Sequence, residues 1–235
     1  MPAPAPVSLG TATLTESELY GAARPTRKGT GACPGTTGTV GSLLATFSAA
    51  LEARDPYLRG HSTRVTLFAE ALARLLGWRG TRLEALQLGG SLHDVGKISV
   101  DASVLRKPGP LSEDELEQIR RHPVTGARLV ESFEDFEPAL PYVLHHHERW
   151  DGGGYPHGLS GSRIPLEARL LGVADAFDAM TSTRAYRPAL SVQAALVELE
   201  RCAGTQFDPE LAQTFVDGWR RGAIEPRGRV ARIAI

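Results

Sequence analysis

Seven histidines occur in the 235-residue chain: His61, His93, His122, His145, His146, His147 and His157. Most stand beside acidic groups or at points where the chain must turn. His93 is followed at once by Asp94 and then Val95-Gly96-Lys97, His122 precedes Pro123, and His146-His147 come just before a glycine-rich stretch. Asp175 lies in the apolar run Val173-Ala174-Asp175-Ala176-Phe177, where a buried carboxylate needs a partner to offset its lost hydration. Imidazole plus carboxylate is a ligand set for Zn, Fe, Mn and similar ions. Several histidines with two aspartates exceed what one tetrahedral ion needs and point to two ions sharing a bridging carboxylate. Two metals ~3.5–4 Å apart activate a water and stabilise the attacking and leaving oxygens at phosphorus. The chemistry implied is phosphoester hydrolysis.

Each piece also has a plainer reading. His145 and His157 read as surface or hydrogen-bonded residues. A His-Asp dipeptide is common by chance, Asp175 could pair with an arginine, and Asp178 could support a ligand or sit on a helix surface. The stretch from Asp151 to Arg163, with Gly152, Gly153, Gly154, Gly158 and Gly161, could be simple connection. The order and spacing of all these pieces together favour chemistry over the separate plain readings.

The elements that must position these groups are helical. Val40, Leu43, Leu44, Phe47 and Leu51 recur at helical steps, as do Val65, Phe68, Ala69, Leu72, Leu75 and Leu76, with Gly77 where a helix should stop. Thr81 with Glu84 and Ser112 with Glu115 read as capping boxes. Pro123, Pro138 and Pro165 suit first helical turns. Leu166, Leu170, Val173, Phe177 and Met180 line a further helix, and Asp208-Pro209 opens another. Alternating strand patterns are scarce; only Arg229 to Ile235 hints at an extended segment. The expected fold is all-α, a compact multi-helix bundle with a glycine-rich loop at its active site.

Residues 1–38, rich in Pro, Ala, Gly and Thr, read as a flexible tail with at most a short helix from Glu16 to Tyr20, and 39–235 as the folded domain. With 26 Lys+Arg against 27 Asp+Glu, nothing draws the chain to polyanions in general, so duplex nucleic acid is not the expected partner. Cys33 and Cys202 are isolated thiols suited to a reducing compartment. No apolar run reaches the ~18 residues of a membrane span, and the amino terminus lacks the basic and apolar segments of a secretory signal. A cytoplasmic location is expected.

The ordered motifs closely resemble the HD-GYP family, a subgroup of the HD-domain metal-dependent phosphohydrolases, over about residues 40 to 217. They run from Arg54-Asp55-Pro56-Tyr57 and Gly60-His61-Ser62 through His93-Asp94-Val95-Gly96-Lys97, Lys107-Pro108-Gly109 and His122-Pro123 with Gly126. The long motif His146-His147-Glu148-Arg149-Trp150-Asp151-Gly152-Gly153-Gly154-Tyr155-Pro156 follows, then Ala174-Asp175-Ala176-Phe177-Asp178-Ala179 and Arg184-Ala185-Tyr186-Arg187. By this resemblance the metal ligands are His61, His93, Asp94, His122, His146, His147 and Asp175. Asp94 bridges two divalent ions, of which iron or manganese are the leading candidates. Lys97 lies beside the scissile phosphate, while Gly154-Tyr155-Pro156, Arg184 and Arg187 bind the nucleotide. Some members carry a glutamate ligand to a third metal four residues before the first histidine. Tyr57 stands there in this chain, so two metals are expected. The implied activity is hydrolysis of cyclic di-GMP to linear pGpG, with GMP as the end product where hydrolysis continues. The alternatives are a weakly active or inactive cyclic di-GMP-binding module, or action on another cyclic dinucleotide. The implied protein partners are signalling proteins such as diguanylate cyclases or a separate sensor protein.

Overall fold

The computed structural model describes residues 36–55, 58–183 and 188–225. Within them the chain is helical and contains no strand; two residues, Ala203 and Phe207, make an isolated bridge. The helices are α1 (Thr36–Arg54), α2 (His61–Leu75), α3 (Thr81–Leu92), α4 (Ala102–Leu105), α5 (Glu113–Arg120), α6 (His122–Glu131), α7 (Leu140–His145), α8 (Leu166–Thr181), α9 (Val192–Arg201) and α10 (Pro209–Arg220). Short 3-10 turns at Val95–Ser99, Glu134–Ala139 and Gly161–Arg163 link them. None of the described helices is long and apolar enough to cross a membrane.

The apolar periods build two cores. The larger gathers Val65, Phe68 and Leu72 of α2, Leu83 and Leu86 of α3, Leu170, Val173 and Phe177 of α8, Leu196 of α9 and Phe215 of α10. Phe68 meets Phe177 edge to face, with ring centroids 5.2 Å apart, and Phe177 packs on Phe215 at 4.9 Å. Each such buried side chain stabilises the fold by roughly 1.5–3 kcal/mol. This packing fastens α8, which carries Asp175, against α2, which begins at His61. The smaller core joins Leu92, Val95, Val130, Phe136 and Val143, with Leu43, Leu44 and Phe47 of α1 packed on it. It lies behind the His93-Asp94 turn.

Several local expectations hold. Gly77 has φ 82° just beyond α2, Ser112 and Glu115 form a reciprocal capping box, and the Asp208 side chain accepts the amides of Glu210 and Leu211 at the start of α10. Others need correction. Thr81 is not a cap: Gly80 occupies that position and no side chain caps the helix. Pro138 lies inside a 3-10 turn, and Pro141 takes the first-turn place in α7 instead. Pro165 is itself the cap residue of α8. Helix α9, opened by Ser191 accepting the amide of Ala194, had no assigned signal. The possible helix at 16–20 and the extended segment at 229–235 lie outside the described residues.

Candidate metal centre

Four imidazoles converge with their ring orientation fixed from behind. Nδ1 of His93 lies 2.8 Å from the Gly90 carbonyl and that of His122 lies 2.7 Å from the Ile119 carbonyl. Nδ1 of His146 is 3.1 Å from the carbonyls of both Tyr142 and Val143. Nδ1 of His61 meets the Asp178 carboxylate at 2.8 Å. A hydrogen bond at Nδ1 leaves Nε2 as the free ligating atom, and such backing fixes the tautomer of metal-binding histidines. The backing carbonyls come from the turn preceding each ring, so helix geometry itself aims His93, His122 and His146.

Asp94 stands where these Nε2 atoms meet. Its Oδ1 is 3.3 Å from Nε2 of His122 and 3.8 Å from that of His146, and its Oδ2 is 3.7 Å from Nε2 of His61 and 3.5 Å from that of His93. Two groupings suited to a metal result, Asp94-His122-His146-His147 and His61-His93-Asp94, each with ligand atoms within 4.8 Å of one another. Asp94 belongs to both, as a bridging carboxylate would. Asp175 faces the second group, its Oδ1 3.3 Å from Nε2 of His61. Nε2 of His93 and Oδ1 of Asp94 are buried and make no hydrogen bond. Orphaned buried polar atoms are costly in a protein interior, and divalent cations between these atoms would satisfy them.

The charge states favour the same occupant. Burial dominates at His93, His146 and His147 and lowers all three, His147 to about 3. At His61 burial also works downward, but hydrogen bonds to Asp175 and Asp178 overcome it and raise the group to about 9. Burial pushes Asp94 upward, yet Lys97, His93 and His122 hold it well below the usual carboxylate range. Asp175 is similarly depressed against its burial, by His61 foremost. Neutral His93, His146 and His147 beside the ionised carboxylates are in the form that binds a divalent cation, while His61 would give up its proton on binding one.

Close backbone contact holds the two halves of the centre together. A Cβ on Gly96 would lie 1.9 Å from the His122 carbonyl oxygen and 2.6 Å from the Gly126 nitrogen. Only glycine allows the 3-10 turn after Asp94 to press so closely on α6. Lys97 sits on that turn rather than on a continued α-helix, and its Nζ reaches Oδ2 of Asp94 at 2.7 Å.

The glycine-rich stretch forms a wall beside the centre. The Tyr155 ring stacks on His147, centroids 4.8 Å apart, and the Tyr155–Pro156 peptide is cis. A Cβ on Gly154 would strike the Arg149 nitrogen at 2.3 Å and the His147 carbonyl at 2.5 Å, so this position serves a chain crossing. Two cavities, of about 600 and 590 Å³, meet at this wall, and His147 and Tyr155 line both. The first adds Arg120 and Asp175, and the second His61, Lys97 and Lys107.

The sequence pattern missed Arg64, which grips Asp178 through Nε at 2.6 Å and Nη2 at 3.0 Å. Asp178 is thus buried behind His61 rather than on a helix surface. The one available signal was spacing: Arg64 follows His61 by three positions and so shares its helix face. Glu148 accepts the amides of His157 and Leu159. Arg184, Arg187 and Tyr57 lie outside the described residues.

A family model described as HD domain matches residues 45–211. A cyclic di-GMP phosphodiesterase response regulator, RpfG of Xanthomonas campestris pv. campestris, is 39% identical over 177 residues, covering 74% of this chain and 47% of that protein. A 3′3′-cGAMP-specific phosphodiesterase 3 of Vibrio cholerae is 34% identical over 168 residues, covering 72% of this chain and 36% of that protein. The chain therefore spans less than half the length of these relatives. Among solved structures, a cyclic GMP-AMP-specific phosphodiesterase of V. cholerae aligns with a TM-score of 0.60 at 19% identity, over 80% of this chain and 50% of that one. An HDG"Y"P protein of Bdellovibrio bacteriovorus aligns at 0.57 and 20% identity, over 78% of this chain and 62% of that one. At these identities the likeness is one of fold.

Proposed function

The chain belongs to the HD domain family, in its HD-GYP subgroup, and from that premise we propose that it hydrolyses one 3′–5′ phosphodiester of cyclic di-GMP to give linear pGpG. The observation that carries this reading is Asp94, shared between two groups of inward-facing histidines. In the proposal His61, His93, Asp94, His122, His146, His147 and Asp175 hold two divalent ions, iron or manganese. When bound, such ions activate water and stabilise charge at phosphorus.

The chain's own groups do the remaining work. The backing hydrogen bonds on His61, His93, His122 and His146 keep four ligand atoms aimed at one point, which limits reorganisation during reaction. A water oxygen bonds to phosphorus and gives up one proton, the bond from phosphorus to the ribose 3′ oxygen breaks, and that oxygen takes up one proton. Lys97, held beside Asp94, neutralises the charge gathering on the phosphate or supplies that proton. The His147–Tyr155 wall supports two flanking nucleotide subsites, because cavities of similar size open on its two sides. Arg184 and Arg187 join this proposal through their place in the sequence motif, arginine being suited to bidentate phosphate or guanine contacts.

Residues 39–235 constitute the phosphodiesterase domain in this reading, with 1–38 a tail, a cytoplasmic setting, and signalling proteins such as a diguanylate cyclase or sensor as partners. A second reading keeps the chemistry and exchanges the substrate for a mixed cyclic GMP-AMP. It is favoured by the relative named as specific for 3′3′-cGAMP. Parallel hydrolysis assays with cyclic di-GMP and 3′3′-cGAMP, each competed by the other, separate the two. Preferential cleavage of cyclic di-GMP supports the first reading, and preferential cleavage of the mixed dinucleotide overturns it.

A further inference from the structure

Outside the centre already described, His145, Glu148 and His157 form another grouping whose ligand atoms lie within 4.8 Å of one another. His145 ends α7 and is only 4% exposed, yet its Nδ1 is buried and has no hydrogen-bond partner. That atom lies 3.9 Å from Oε1 of Glu148, and the Glu148 side chain is fully buried. The rings of His145 and His157 approach to 5.4 Å. Oε1 of Glu148 accepts the His157 amide at 2.8 Å and Oε2 accepts the Leu159 amide at 3.0 Å. Each oxygen keeps a further lone pair. Among the described residues, no lysine or arginine forms an ion pair with Glu148. A buried carboxylate beside an orphaned imidazole nitrogen is a costly arrangement when left without a cation.

We propose that His145, Glu148 and His157 bind one zinc-class divalent cation, separate from the ions held around Asp94. Two imidazoles and one carboxylate make a three-ligand zinc set, with a fourth position for water. Zinc–nitrogen bonds of about 2.0–2.1 Å require the ligand atoms to draw in to about 3.3–3.5 Å. His157 is exposed, so its side chain can swing in without disturbing the core, while Nδ1 of His145 and Oε1 of Glu148, now 3.9 Å apart, close by about 0.5 Å. The bound ion ties the end of α7 to the loop that presents Tyr155, two residues before His157. It therefore secures the wall beside the main centre without touching it.

The test is zinc titration of the metal-stripped 235-residue chain against a chromophoric chelator, comparing wild type with His157→Ala and His157→Glu. Wild type should take up one more zinc equivalent than His157→Ala, and His157→Glu, which keeps a ligating group, should recover it. With zinc at ten times the dissociation constant of this site, amide exchange at His157 and Leu159 should slow by about tenfold in wild type but not in His157→Ala. Equal zinc uptake by wild type and His157→Ala overturns the proposal. So does zinc-independent exchange at the two amides. Neither readout depends on catalytic turnover.

Discussion

Asp178 on α8 places Oδ2 2.8 Å from Nδ1 of His61 on α2, 117 positions away in sequence, while Arg64 binds the same carboxylate. Burial of such a carboxylate is unfavourable alone, but two cationic or proton-donating partners keep it ionised. Its effect is to turn Nε2 of His61 toward Asp94 and Asp175.

Asp178→Ala should therefore weaken metal retention by roughly 10–100-fold, the usual cost of losing a partner behind a ligating histidine. Asp178→Asn, whose side-chain oxygen still accepts a hydrogen bond, should lose less. Competition with a calibrated chelator measures both. Unchanged affinity in Asp178→Ala would show that His61 is held by other contacts.

Gly96→Ala should destabilise the protein by roughly 1–3 kcal/mol or more, because the added methyl meets the His122 carbonyl and the Gly126 amide, neither of which can swing away. Urea unfolding of the metal-free protein gives the difference. A midpoint and slope matching wild type would mean that the turn and α6 separate without penalty.

The Asp94-Gly96 turn and α6 also mark how far the sequence carries. Leu72, Leu170 and Phe177 announce buried helical faces through their spacing, and the His-Asp motifs identify the groups around Asp94. Helix periodicity is a local property, so both are legible. The Arg64–Asp178 pair is not, because it depends on how α2 crosses α8, a relation no local pattern encodes. The Thr81 cap fails for a related reason: Gly80 turns the chain one residue earlier and takes the position the side chain would have used. His145 and His157, read from the sequence as surface or hydrogen-bonded residues, become neighbours only once the glycine-rich loop folds back onto α7.

Lys97→Ala should lower kcat by about 10²–10⁴-fold, the range for loss of a positioned acid–base group, while metal content stays at the wild-type level. Metal analysis alongside steady-state kinetics distinguishes the roles. If metal content fell in proportion to activity, Lys97 would be acting as a structural partner of Asp94.

Metal-free protein should be most stable near pH 6.5. Below that, unfolded histidines take up protons that His93, His146 and His147 resist in the fold, His147 until about 3. The unfolded state then binds more protons, and stability falls as pH drops. Above 6.5 the folded His61 keeps a proton until about 9 that the unfolded residue has released, so stability falls as pH rises. Thermal unfolding in chelator across pH 4 to 9.5 tests both slopes, and stability rising steadily from pH 6.5 to 9 would contradict the His61 assignment.

The bridging role of Asp94 is tested by a paired measurement on protein purified without air or chelator: metals per chain, and conversion of cyclic di-GMP, in wild type and Asp94→Ala. Wild type should hold about two ions at the Asp94 centre and release pGpG, and Asp94→Ala should lose both the ions and turnover. Near-normal turnover by Asp94→Ala, or tight nucleotide binding by metal-loaded wild type with no product over long incubation, would contradict it.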